Sequence, residues 1–173
     1  MNGAVAGAAA AAVWAAQQPL DKRVFGSRHD DVELLGKLAI RGSGWPGVGV
    51  AIHLANGAAF GAGYALVRPL APGPATANGV AVALLEHLAT WPLGRLVDRY
   101  HPARGELEPL HGNGRAFAQA TWRHFLFGLV LGELERRLNS AGEFEPLEDV
   151  PVASNGHGNI EHAAAGATSA EAH

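Results

Sequence analysis

The sequence predicts an all-α fold: an integral membrane bundle of four transmembrane helices with a short cytoplasmic interfacial helix. Three observations carry this. Four stretches low in charge approach the roughly 20 residues that cover a ~30 Å hydrocarbon core. Their few polar residues do not recur at the 3.6-residue spacing that a soluble amphipathic helix needs. Gly and Ala return at four-residue spacing in each stretch, as in helices whose backbones touch in a membrane.

The first stretch, about Asn2 to Gln18, is nearly all Ala and Gly and is expected to end at Pro19. Met1 to Ala16 lacks the positive n-region of a secretory signal, so it reads as a first membrane helix rather than a cleaved peptide. The second, Trp45 to Val67, is broken only by His53 and Asn56. The third, about Thr76 to Leu96, carries Glu86 and His87. The fourth, Arg115 to Leu134, carries Gln119, Arg123 and His124. Small residues line one face of each: Gly3, Gly7 and Ala11; Gly57 and Gly61; Gly79 and Ala83; Gly128 and Gly132.

The overall hydropathy is near zero, but the polar residues sit in blocks. Residues 139–173 hold six carboxylates and no Lys or Arg, and they read as a disordered acidic tail. Residues 1–138, the four-helix membrane domain, carry 13 basic and 10 acidic side chains, an excess of +3. Lys22, Arg23, Arg28, Lys37, Arg41, Arg95, Arg99, Arg104 and Arg115 flank loops one and three, against Arg68, Arg136 and Arg137 at the other end. The positive-inside rule then puts loops one and three in the cytoplasm and both termini outside an inner (cytoplasmic) membrane.

Within loop one, Asp30, Asp31 and Glu33 precede an apolar stripe of Val32, Leu34, Leu35, Leu38 and Ile40. That pattern suits a short interfacial helix with acids at its positive end. The segment His101 to Gly114 is rich in Pro and Gly and reads as irregular. Trp45 and Trp91 fit an interfacial aromatic belt, Trp14 lies near such a position, and Trp122 lies deeper. Asp21 is expected to cap a turn or to pair with Arg95 or Arg99 in a cytoplasmic-side network that includes Asp98, Tyr100 and His101.

Polar side chains coincide at mid-depth: His53 and Asn56, Glu86 with His87, and Gln119, Arg123 and His124. A charge at the bilayer centre costs about 2.5–3.5 kcal/mol on insertion scales, so Glu86 and Arg123 are expected to pair, with His53, Asn56 and Gln119 nearby. These residues are candidates for a proton or small-solute site, and equally for a structural clamp that keeps the helices in register. With no cysteine, disulfides and thiolate chemistry are excluded. The four stretches hold neither Glu-x-x-His nor His-x-x-x-His, and Glu86 and His87 point about 100° apart, so no metal is expected. Gly42 to Gly47 lacks the Lys of a P-loop, and no serine sits in a nucleophile elbow. No cofactor, catalytic residue or nucleic-acid partner is assigned.

The run Ala15-Ala16-Gln17-Gln18-Pro19-Leu20-Asp21-Lys22-Arg23-Val24-Phe25-Gly26, with Glu86-His87 and Trp122-Arg123-His124, resembles a family of uncharacterised small multi-helix membrane proteins of actinobacterial type. The resemblance spans residues 1–138 and implies a topology but no activity. Two function classes follow. One is a non-enzymatic bundle that is transporter-like, ligand-binding or a subunit of a membrane complex, self-associating through its small-residue faces. The other is a membrane-embedded enzyme using Glu86 and histidines as acid and base.

Overall fold

The computed structural model describes residues 2–140 of the chain, with side chains to Asn139. The acidic tail expected over 139–173 lies outside these residues, apart from the two that end the last helix. The described residues form six α-helices and no strand: α1 (Asn2–Phe25), α2 (Asp31–Ala39), α3 (Trp45–Val67), α4 (Ala75–Thr90), α5 (Gly94–Tyr100) and α6 (Gly114–Ser140). Single 3₁₀ turns extend α3 over Arg68–Leu70 and join α4 to α5 over Trp91–Leu93. The all-helical expectation holds.

Helix α1 packs between α3 and α6, α6 packs on α4, and α2 packs on α3. The neighbours are antiparallel. Glycines set these contacts. A Cβ added at Gly7 would run into the Gly57 carbonyl oxygen, and one at Gly61 into that of Gly3. The same holds between Gly128 and the Gly79 carbonyl, and between Gly132 and that of Ala75. Backbone approach this close is available only to residues without a side chain. The small-residue faces are therefore used inside the bundle, and they are not free for self-association.

Helix α1 does not stop at Pro19. It runs seven residues beyond Gln18 and ends at Gly26, whose φ of 61° is the left-handed conformation that closes a helix. Proline removes one backbone bond and crowds the preceding turn. Here the turn beyond it is held from the side, because Asp21 is buried against α6.

The expected loop-one helix exists as α2. Asp30 caps it, its carboxylate accepting from Glu33 N at 2.9 Å. Gly36 abuts the Trp45 carbonyl and Gly49 that of Val32, so α2 packs against the first turns of α3.

Loops one and three meet at one end. Glu108 accepts from Ser27 Oγ at 3.1 Å and from the Arg28 backbone N–H, and Lys37 sits 2.7 Å from Glu33 and 2.6 Å from Glu106. His101 Nδ1 accepts from Ala103 N at 3.0 Å, so Nε2 donates, to the Leu34 carbonyl at 3.1 Å. At the other end, Asn2 donates to the Leu138 carbonyl at 3.0 Å, and Tyr64 to that of Ala75 at 2.6 Å.

Two helical stretches are long and apolar enough to cross a membrane, Trp45–Leu70 and Ala75–Tyr100, whose windows of 18 residues reach a mean hydropathy of 1.4 and 1.2. Only 22% and 17% of those windows is buried in the bundle, whereas the core helix of a soluble protein is mostly buried.

A branched side chain at the α1–α3 contact should force these helices apart. Gly7→Val is expected to cost at least the 1–3 kcal/mol typical of overpacking, about what a well-packed core loses to extra methylenes. Thermal denaturation of the detergent-solubilised variant would read this as a lowered midpoint. Gly63→Val, where an added Cβ meets nothing within 4 Å, should leave the midpoint unchanged.

Candidate functional site

The polar residues at mid-bundle divide into two groups. The first surrounds Arg123 on α6, whose side chain is fully buried at 0% exposure. Its Nε and Nη2 donate to the two carboxylate oxygens of Asp21 at 2.6 and 2.7 Å. Its Nη1 donates to Asp31 Oδ2 at 2.7 Å, and Nη2 also reaches the His29 carbonyl at 3.0 Å. Gln119 and Gln17 donate to Asp21 at 2.6 and 2.5 Å, and the Trp14 indole to Asp31 at 3.2 Å. His29 Nε2 lies 3.3 Å from the other Asp31 oxygen.

The expected Glu86–Arg123 pair does not form. Because α1 stays helical past Pro19, Asp21 comes to the level of Gln119 and Arg123, and the chain turning at Gly26 brings Asp31 to the same guanidinium. Arg123 and His124 are successive on a helix and face different neighbours. Asp21 likewise pairs with neither Arg95 nor Arg99. Arg95 instead donates to His111 Nδ1 at 3.2 Å, and Asp98 accepts from Leu110 N and His111 N at 2.9 and 2.8 Å.

The second group lines a cleft of about 590 Å³. It includes five of the residues singled out in the sequence, His53, Asn56, Glu86, His87 and His124, while Gln119 and Arg123 belong to the first group. Trp14, His29 and Asp31 lie on the boundary and serve both. Trp14 is no belt residue: it is buried, with its ring edge-on to His53 at 5.3 Å and to His124 at 4.6 Å. Trp122 is the outward-facing one, 42% exposed and donating to Gln17 Oε1 at 3.2 Å.

Hydrogen-bond partners fix the proton positions of two histidines, and a third, His53, is left bare. His124 Nδ1 is 2.7 Å from the Ala120 carbonyl, which can only accept, so Nδ1 carries hydrogen. Its Nε2 is 3.0 Å from Glu86 Oε2, so histidine and carboxyl share one proton, whichever holds it. Thr121 donates to the Phe117 carbonyl at 2.8 Å, so His87 Nε2 must be the donor in its 3.0 Å contact with Thr121 Oγ1. His53 is 7% exposed and its Nε2 has no partner.

Helices α3 and α4 pack on opposite sides of the bundle and come together at the Tyr64–Ala75 contact. Between them lies the cleft, with Asn56 and Phe60 on one wall and Glu86 and Thr90 on the other. Among the described residues no three His or carboxylate side chains converge as a metal-binding group. The sequence missed Asp21, His29 and Asp31. The signal was present, since Asp21 follows an otherwise apolar run and Asp31 lies beside a helix cap, but both fell in a stretch read as loop. No known family model, curated protein or solved structure matches the chain.

Removing Arg123 leaves two carboxylates facing each other. Arg123→Gln is expected to destabilise the protein by about 3–5 kcal/mol, as for a broken buried ion pair. Equilibrium unfolding in detergent would show it, and a loss comparable to that of the exposed Arg136→Gln would contradict it.

Burial by itself would raise the Asp31 carboxyl, but the His29 ring and the Arg123 guanidinium outweigh it and hold it well below the usual carboxylate range. A depressed folded-state value stabilises in full above the unfolded value of about 4 and is lost as pH falls through the folded one. The melting midpoint should therefore drop at the acid end of that window, and Asp31→Asn should flatten this acid limb.

Proposed function

We propose that this chain is a four-span protein of a bacterial-type inner membrane, with loops one and three cytoplasmic, whose cleft is a non-enzymatic, transporter-like or ligand-binding site. The observation that carries the reading is the cleft itself, which His53, Asn56, Glu86, His87 and His124 line together.

Lipid as the solvent is supported by what the helices turn outward. From Trp45 to Val67 α3 has no charged residue, and α4 has one, Glu86, which faces the cleft. Val5, Val13, Leu66, Leu70, Leu85 and Leu88 are all exposed. At 24 and 27 residues, α1 and α6 match the two apolar stretches in length, since 1.5 Å per residue gives at least ~36 Å. Nine basic residues at the loop-one end against three at the other support the orientation. The resemblance to small actinobacterial-type membrane proteins agrees with this topology and adds no activity. The lipid bilayer is the first partner. A homo-oligomer or a larger membrane complex would use the exposed apolar surface, because the glycine faces are occupied.

One observation favours a second reading, a membrane-embedded enzyme. Glu86 and His124 share a single proton beside the cleft, as an acid–base pair would. Glu86→Gln would separate the two, because ligand binding should survive it and turnover should not.

The absence of cysteine makes the membrane reading testable by single introduced cysteines. Arg104→Cys and Arg68→Cys should react with an impermeant maleimide from opposite faces of sealed vesicles, and alkaline carbonate should not release the protein. Labelling from one face, or release by carbonate, would overturn the topology. A methanethiosulfonate should modify His53→Cys in the cleft and spare Ala10→Cys in the packed core. An inert His53→Cys would count against a ligand site and for a scaffold.

A further inference from the structure

At the loop-one end of the bundle, lysine and arginine are used differently. Lys22 lies 2.5 Å from Asp30, and Lys37 bridges Glu33 and Glu106. Arg23, Arg28 and Arg115 are exposed, and among the described residues their guanidiniums enter no ion pair or hydrogen bond. These three meet at one turn. An added Cβ at Gly26 would lie 3.7 Å from Arg115 Nη1, so the arginine that opens α6 reaches the turn that closes α1. Arg23 and Arg28 flank that turn in the chain. The nearby carboxylates are spent. Asp30 holds Lys22 and caps α2, and Glu108 accepts from Ser27, Asn113 and the Arg28 backbone N–H. Glu108 therefore offsets the Arg28 charge only from beyond ion-pair distance. Orientation in a membrane asks only for basic residues on that side, which paired lysines also supply. Exposed guanidiniums without a counter-charge attract an anion from outside, and their planar fork matches a phosphate.

From this turn an exposed apolar seam runs along α1 and α6 toward the middle of the bundle. Trp122 follows Arg115 by seven residues, so it shares that face of α6 about 10 Å further along, with its ring stacked on Phe125 at 5.9 Å. The Trp122 N–H donates to Gln17 of α1. Leu20 and Val24 follow Gln17 by three and seven residues on the same face, 64% and 69% exposed.

We propose that this seam holds an anionic phospholipid of the cytoplasmic leaflet, its phosphate on Arg23, Arg28 and Arg115 and an acyl chain along Trp122 and Phe125. The inference rests on the membrane reading and its orientation, and goes beyond them by naming one class of lipid and its place. A free phosphate would use the same guanidiniums and leave the apolar seam below them uncovered. A lipid covers both.

The full chain would be placed in phosphatidylcholine nanodiscs holding a minor share of phosphatidylglycerol, with bromine on the acyl chains of one lipid or the other. Bromine quenches an indole that it touches, and the difference between the wild type and Trp122→Phe isolates the Trp122 signal. Phosphatidylglycerol should compete for Trp122 at least about fivefold better than the net-neutral phosphatidylcholine, the factor worth one guanidinium at an anionic surface. The triple variant Arg23→Gln, Arg28→Gln, Arg115→Gln removes no ion pair or hydrogen bond within the described residues, and it should quench alike with both lipids. Arg68→Gln, at the other end, should keep the preference. Molar salt should weaken it, since the screening length falls to about 3 Å. Equal quenching by both lipids in the wild type overturns the inference and leaves the membrane reading in place, and so does a preference that survives the triple variant. Displacement of phosphatidylglycerol by soluble glycerol phosphate overturns it in favour of a free phosphate. A Trp122 that neither lipid quenches, while Trp45 and Trp91 respond, overturns it in favour of a second copy covering the seam. If neither lipid quenches any tryptophan, the membrane reading falls as well.

Discussion

One guanidinium organises the middle of this protein. Arg123 sits on α6 with no exposed surface, and what it binds comes from three other places in the chain: Asp21 on α1, the His29 carbonyl in the turn after it, and Asp31 at the start of α2. A buried ion pair of this kind is weak evidence for stability, because desolvating the charges opposes their attraction. What it provides is registry. The guanidinium fork satisfies both oxygens of Asp21 only at one rotation of α1 against α6. It also holds the turn at Gly26 inside the bundle, so that α2 begins beside α3 rather than beyond it.

The glycine contacts complete this arrangement by fixing which helices do not touch. Gly7 with Gly57 and Gly61 brings α1 and α3 to backbone contact, and Gly79 with Gly128 and Gly132 does the same for α4 and α6. With α1 and α6 packed together at the centre, α3 and α4 are carried to opposite flanks. Their shared turn closes one end of the space between them, while α2, α5 and Leu110 line its other end. The cleft is what remains when two tight pairs are joined through their inner members.

Much of this was legible in the sequence. Length and hydropathy marked four helices, and the four-residue Gly/Ala spacing marked the faces that pack. The loop-one helix was readable from Asp30 and its apolar stripe. The coincidence in depth of His53, Glu86, His87 and His124 was real, and all four line one cleft. The pairing was not legible. Opposite charges at similar depth suggested Glu86 with Arg123, and the better partners were hidden by Pro19. Local propensity ends a helix there, but Asp21 is held two residues later by a contact to a residue 102 positions away. Trp14 shows the same limit. Its place near a helix end suited an interfacial belt, but only the folded-in α2 reveals that its indole faces an aspartate.

The unpartnered nitrogen of His53 follows from the same packing. His53 lies one turn before Gly57, where α3 and α1 are in backbone contact, and that closeness buries its ring. Trp14, a turn further along α1, covers the ring edge-on and offers its own N–H to Asp31 instead. No neighbouring donor remains for Nε2. Filling this position with a residue that needed no partner, such as Leu, would have removed the cost of leaving Nε2 bare. Gln119 Oε1 is left bare in the same way, so in this bundle close helix packing is met ahead of the last few hydrogen bonds.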